Sequence, residues 1–112
     1  MQIEIIDPDP QADISHFEES IRLVFSGENK KLESVNVIFM EHDALREMKT
    51  EYFDLDLYTD VITFNLNATD QAIEGEIYLS FTQIKQNATQ YNTGVGDELN
   101  RVLIHGCLHL CT

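Results

Sequence analysis

A chain of 112 residues holds one domain with one core, and folding at this length buries about two thirds of the surface its unfolded form exposes. Twenty carboxylates face seven basic side chains, giving a formal net charge of −13, and Arg22, Lys30, Lys31, Arg46, Lys49, Lys85 and Arg101 form no basic stripe. That balance excludes a protein that grips nucleic acid by wholesale neutralisation of phosphates, and no apolar run approaches the roughly 18–20 residues of a membrane span. The start Met1-Gln-Ile-Glu-Ile-Ile6 lacks the basic opening of a signal peptide, so a cytoplasmic protein with no membrane partner is expected.

Residues 2–6 alternate as a short strand, and Asp9-Pro10 offers a helix N-cap and first position. Ile14, Phe17, Ile21, Val24 and Phe25 then recur at helical spacing until Gly27. Val35, Val37 and Phe39 alternate with Asn36, Ile38 and Met40, which predicts a strand with one strongly apolar face. Ala44, Leu45, Met48 and Tyr52 form the stripe of a second helix, and Tyr58–Phe64 returns to β-branched and aromatic residues. Gly75–Ser80 is a fourth strand, paired with the third across the polar loop Asn65–Glu74. Ser80 and Gln83 have capping-box spacing, opening a helix through Phe81, Ile84, Ala88 and Tyr91. After the break Thr93–Gly96, Asp97 is the expected cap of a last helix carrying Leu99, Val102, Leu103 and Gly106. The order β-α-β-α-β-β-α-α predicts an α+β domain, a small mixed four-stranded sheet covered by helices.

His105 and His109 stand four apart on that last helix, about 40° around the axis and one turn along, so both imidazoles point the same way. Two readings compete: satisfied rim histidines, or a pair sharing one metal ion, for which zinc accepts neutral imidazole at about 2.0–2.1 Å. Cys107 and Cys111 fall about 200° and 240° from His105, on the other face, and read as small buried side chains. A catalytic zinc site needs a third protein ligand, which does not follow within the three residues after His109. A helix ending at Thr112 would also leave its last carbonyls uncapped, so a chain lacking its natural C-terminal end is expected.

Gly106 costs the helix about 1 kcal/mol relative to alanine and so marks a close approach of backbone or ligand. It also occupies the position where the zinc-protease pattern H-E-x-x-H carries its general base, which disfavours hydrolysis of a peptide or another ester. Asp60 is either a turn residue or the acceptor that orients a ligand histidine. Asp97 and Glu98 read as first-turn carboxylates favoured by the helix dipole rather than as bases. Glu74 and Glu76 read as solvated, and nothing pairs His16 or His42 with His105.

His105-Gly-Cys-Leu-His109-Leu110 resembles the start of the H-G-x-L-H-L-x-G-Y-D-H motif of the YbeY family of metal-dependent endoribonucleases. Tyr58-Thr-Asp-Val-Ile-Thr-Phe64 is similar to that family's P-T-D-V-L-S-F segment, and Gly75-Glu-Ile77 with Leu79-Ser80 to its G-D-I-x-I-S strand. The likeness covers residues 45–111. It implies zinc ligation by His105 and His109, with a third histidine six residues beyond His109. It also implies cleavage of single-stranded RNA in ribosomal RNA maturation and ribosome quality control. Thr112 stands where the motif has glycine, and Phe53 where the family often carries an arginine suited to phosphate. The alternative is a non-catalytic ribosome-assembly module whose acidity suits a basic ribosomal protein.

Overall fold

A computed structural model describes residues 2–67 and 72–112. It contains β1 (Gln2–Ile6), α1 (Phe17–Gly27), β2 (Leu32–Phe39), α2 (His42–Phe53), β3 (Val61–Asn65), β4 (Ile73–Leu79), α3 (Phe81–Gln90) and α4 (Val95–Leu110). The sheet runs β1-β2-β4-β3, with β1 and β4 parallel to β2 and β3 antiparallel to β4. The mixed α+β architecture and its element order are those expected from the pattern. Residues 68–71 of the predicted Asn65–Glu74 loop lie outside the described residues.

One face of the sheet presents Val35, Val37, Ile77 and Leu79, and these bury against Phe17, Ile21 and Phe25 of α1, Phe81 and Ile84 of α3, and Leu99, Val102, Leu103, Cys107 and Leu110 of α4. Alternation puts Ile62, Phe64 and Tyr78 on the reverse face, where Tyr52 of α2 meets Phe64 edge-on at 5.2 Å between ring centroids.

Three local expectations are corrected. Helix α1 begins at Phe17, because the carboxylates of Asp9 and Asp13 accept from the N–H groups of Gln11 and Ser15 and commit residues 9–15 to turns. Helix α4 begins one turn early, with Gly94 as N-cap and its carbonyl accepting from Glu98 N–H, which leaves Asp97 inside the first turn. The end of α4 is capped after all: Thr112 Oγ1 donates to the His109 carbonyl at 2.9 Å, and Asn65 Nδ2 of β3 donates to that of Leu110 at 3.4 Å. The Ser80 cap forms as expected, accepting from Gln83 N–H at 3.2 Å.

Gly106 sets how closely α4 lies on the sheet. A Cβ there would come within 3.2–3.4 Å of the γ-methyls of Ile77, Thr63 and Val61, all β-branched and stiff at χ1. Gly106→Val is therefore expected to lower stability by about 1–3 kcal/mol through overpacking, measured as a shift in urea midpoint. An unshifted midpoint would mean that α4 is not seated on β3 and β4 as described.

Candidate metal and nucleic-acid site

With Gly106 pressed on the sheet, the flank of the helix about 60–100° round from it faces outward beyond the sheet edge. His105 and His109 are both exposed there, and their Nε2 atoms lie 3.0 Å apart, with the rings nearly perpendicular at 85°. Two zinc–nitrogen bonds of about 2.0–2.1 Å at the tetrahedral angle hold their nitrogens about 3.3–3.4 Å apart. The observed separation is within a few tenths of an ångström of that bite. The same spacing lets one neutral ring donate its N–H to the other. Among the described residues, no group of three or more His, Cys, Asp or Glu side chains is placed to hold a metal, so the pair fits a cation as half of a tetrahedral shell.

The two rings form one wall of a groove of about 300 Å³ whose other lining residues are Lys49, Phe53 and the run Thr59–Thr63. Strand β3 is the edge of the sheet. Ser80 N–H donates to the Asp60 carbonyl and Leu66 N–H to that of Glu74, so the even-numbered residues exchange bonds with β4. The intervening Val61 and Thr63 turn their N–H and C=O groups toward the free edge, and Val61 O accepts from Thr59 Oγ1 at 3.3 Å. Lys49 and Phe53 form the opposite wall, one turn apart on α2.

Asp60 shares this groove with the histidines. Its Oδ2 accepts from Asn87 Nδ2 of α3 at 3.1 Å and lies 4.0 Å from Arg101 of α4. Arg101 also makes two bonds to Glu98, at 2.9 and 2.6 Å. Glu98 is the first-turn carboxylate its position suggests, and at only 3 % exposed and paired with Arg101 it also anchors the helix. Those hydrogen bonds from Arg101 hold the Glu98 carboxyl below the usual range, against the opposing effect of burial.

The cysteines lie as expected on the far side. Cys107 is fully buried, its thiol pushed up to about 12 by that burial, and Cys111 is partly covered. His16 stays on the surface near Glu19. His42 gained no role from the sequence, yet its Nδ1 lies 2.9 Å from Ser80 Oγ and its ring stacks on Tyr58 at 3.9 Å, tying the start of α2 to α3.

The site defined by this geometry is a pair of converging imidazoles on the rim of an open groove, carried by an α+β sheet. The family model described as endoribonuclease YbeY matches residues 2–112, and the chain belongs to that family. It is 38 % identical over 91 residues to the endoribonuclease YbeY of Christiangramia forsetii, covering 81 % of this chain and 63 % of that protein. It is 39 % identical to the relative from Karelsulcia muelleri, covering 85 % and 67 %, and 36 % identical to that from Amoebophilus asiaticus, covering 90 % and 78 %. The chain thus spans about two thirds of the length of the first two of these relatives. A solution structure of TM1509 from Thermotoga maritima superposes with a TM-score of 0.65 at 28 % identity, covering 98 % of this chain and 72 % of that one. The family match includes the first third of the chain, where the motifs gave no diagnostic residue.

Arg101→Ala would remove the charged partner of the buried Glu98 carboxylate and is expected to cost about 1.5–3 kcal/mol at neutral pH, more than Glu98→Gln, which leaves a half-exposed guanidinium still facing Asp60. Because the Glu98 pKa is depressed in the folded state, its stabilisation is present above the unfolded value and lost as pH falls through the folded one. Urea unfolding of both variants between neutral and acidic pH checks this. Equal losses at neutral pH would show that the pair does not anchor α4.

Proposed function

We propose that this chain carries the metal-binding half of an RNA-cleaving centre, acting on single-stranded RNA in ribosomal RNA maturation and quality control in the cytoplasm. The observation that supports it is the 3.0 Å approach of His105 Nε2 and His109 Nε2 at the rim of an open groove. Imidazole donors suit zinc, and a bound zinc ion polarises a phosphoryl oxygen or brings the pKa of a bound water toward about 7. The chain's own part is to hold the two nitrogens at chelating distance on a rigid helix and to leave the groove open to a substrate strand. Gly106 offers no side chain as a base on that turn. Asp60 has its Oδ2 held by Asn87, so Oδ1 is the oxygen that would accept from a ligand ring's second N–H. The net charge of −13 gives the outer surface its own preference for a basic protein partner, such as one from the ribosome.

With two protein ligands, the 112-residue chain is expected to retain zinc weakly, at less than one ion per chain after dialysis. His109→Ala should abolish uptake and any metal-dependent RNA cleavage while leaving the far-ultraviolet circular dichroism unchanged, since the ring is exposed. Elemental analysis and a labelled single-stranded RNA substrate provide the measurements. Cleavage unchanged in that variant would remove the proposed centre, and tightly held stoichiometric zinc in the monomer would reveal a further ligand.

A further inference from the structure

Three of the seven basic side chains are arginines, and each is already matched by a carboxylate: Arg22 by Glu18 at 2.7 Å, Arg46 by Asp56 at 2.8 Å and Arg101 by Glu98 at 2.6 Å. Among the described residues, Lys49 is the cation that lines the groove of His105 and His109. Among the described residues it makes no ion pair there. Its ammonium lies 4.7 Å from the centroid of the Phe53 ring, one turn further along α2. That ring lies beside Phe64, at 6.1 Å and 24° between planes, which backs it on one side. A cation held over an aromatic face keeps its charge and its donors while losing much of its freedom. The carboxylate of the groove, Asp60, has Asn87 and Arg101 to offset it.

We infer that Lys49, positioned by Phe53, is the phosphate anchor of this groove, binding a backbone phosphate of the RNA strand that lies along the free edge of β3 beside the histidine pair. The inference rests on the reading of the groove as an RNA site. It also accounts for how so acidic a chain engages a polyanion: the contact is one local cation without a carboxylate partner among the described residues, and not a basic surface. Phosphate contacts of this kind position a strand without reading its bases.

The test is binding of fluorescein-labelled oligo(U) and oligo(A) to the zinc-supplemented chain, followed by anisotropy over a range of salt concentrations. Lys49→Gln is expected to weaken both RNAs equally, by about fivefold or more, and to reduce the slope of log affinity against log salt by about 0.7, the value for one phosphate contact on a single strand. Phe53→Leu should lose less affinity and keep the slope, because the charge remains but is no longer held. The double variant Lys49→Gln, Phe53→Arg returns a cation to the same wall and should recover affinity and slope together. Zinc uptake should match the parent chain in all three. A Lys49→Gln variant equal to the parent in affinity and slope overturns the inference and leaves the metal centre standing. A loss of zinc uptake in that variant also overturns it, by placing Lys49 in the metal site. A parent chain that takes up zinc but binds neither RNA overturns this inference and the RNA reading with it.

Discussion

The close approach of α4 to the sheet at Gly106, where a Cβ would crowd the γ-methyls of Ile77, Thr63 and Val61, decides where everything else in the site can be. A helix lies at a distance from a sheet set by the side chains between them, and removing one side chain lets α4 settle onto β3 and β4 at the turn that carries the histidines. The rings of His105 and His109 then project past the sheet edge rather than over the core. The cysteines are fixed by the same rotation: turning His105 and His109 to solvent drives Cys107 inward, where burial suppresses its thiolate. One helix therefore separates two chemistries by angle alone.

A second constraint is electrostatic. In a chain with twenty carboxylates, an arginine is rarely left to itself, and the three here are bound into pairs that stabilise local structure. The pair of Glu98 and Arg101 joins the first and second turns of α4, and through Asp60 it reaches the residue just before β3. The groove is thus tied at its floor to the helix that forms its wall. This arrangement holds the relative placement of β3 and α4 within a single network, so geometry at the histidines does not depend on the apolar core alone.

The fold was legible because its signals are periodic. Alternation in β2 and β4, the three- and four-residue spacing in α1 and α3, and the Ser80 cap each survive translation into tertiary structure. The direction shared by His105 and His109 was legible for the same reason, since it follows from helical geometry without reference to a neighbour. What failed were the ends of helices, where Asp9 and Asp97 have the right chemistry for caps but Asp9 is taken up by a local turn and α4 starts one turn earlier, at Gly94. The buried state of Glu98 was hidden because it depends on Arg101 and on packing between helices. The Lys49 and Phe53 wall was hidden in another way: their four-residue spacing was visible, but only the placement of α2 beside β3 brings them opposite the histidines.

Edge strands are usually a hazard, because their unpaired N–H and C=O groups invite association with other strands. Here the free edge of β3 lies between α2 and α4, with a lysine on one side and two imidazoles on the other. An incoming β-strand would have to fit beside a lysine and two polar imidazoles, which suit an apolar strand poorly. The same side chains that line the groove therefore also guard the open edge. A cap on α4 drawn from Asn65, the last residue of that same strand, closes the arrangement by fixing the end of the histidine helix to the end of the groove floor.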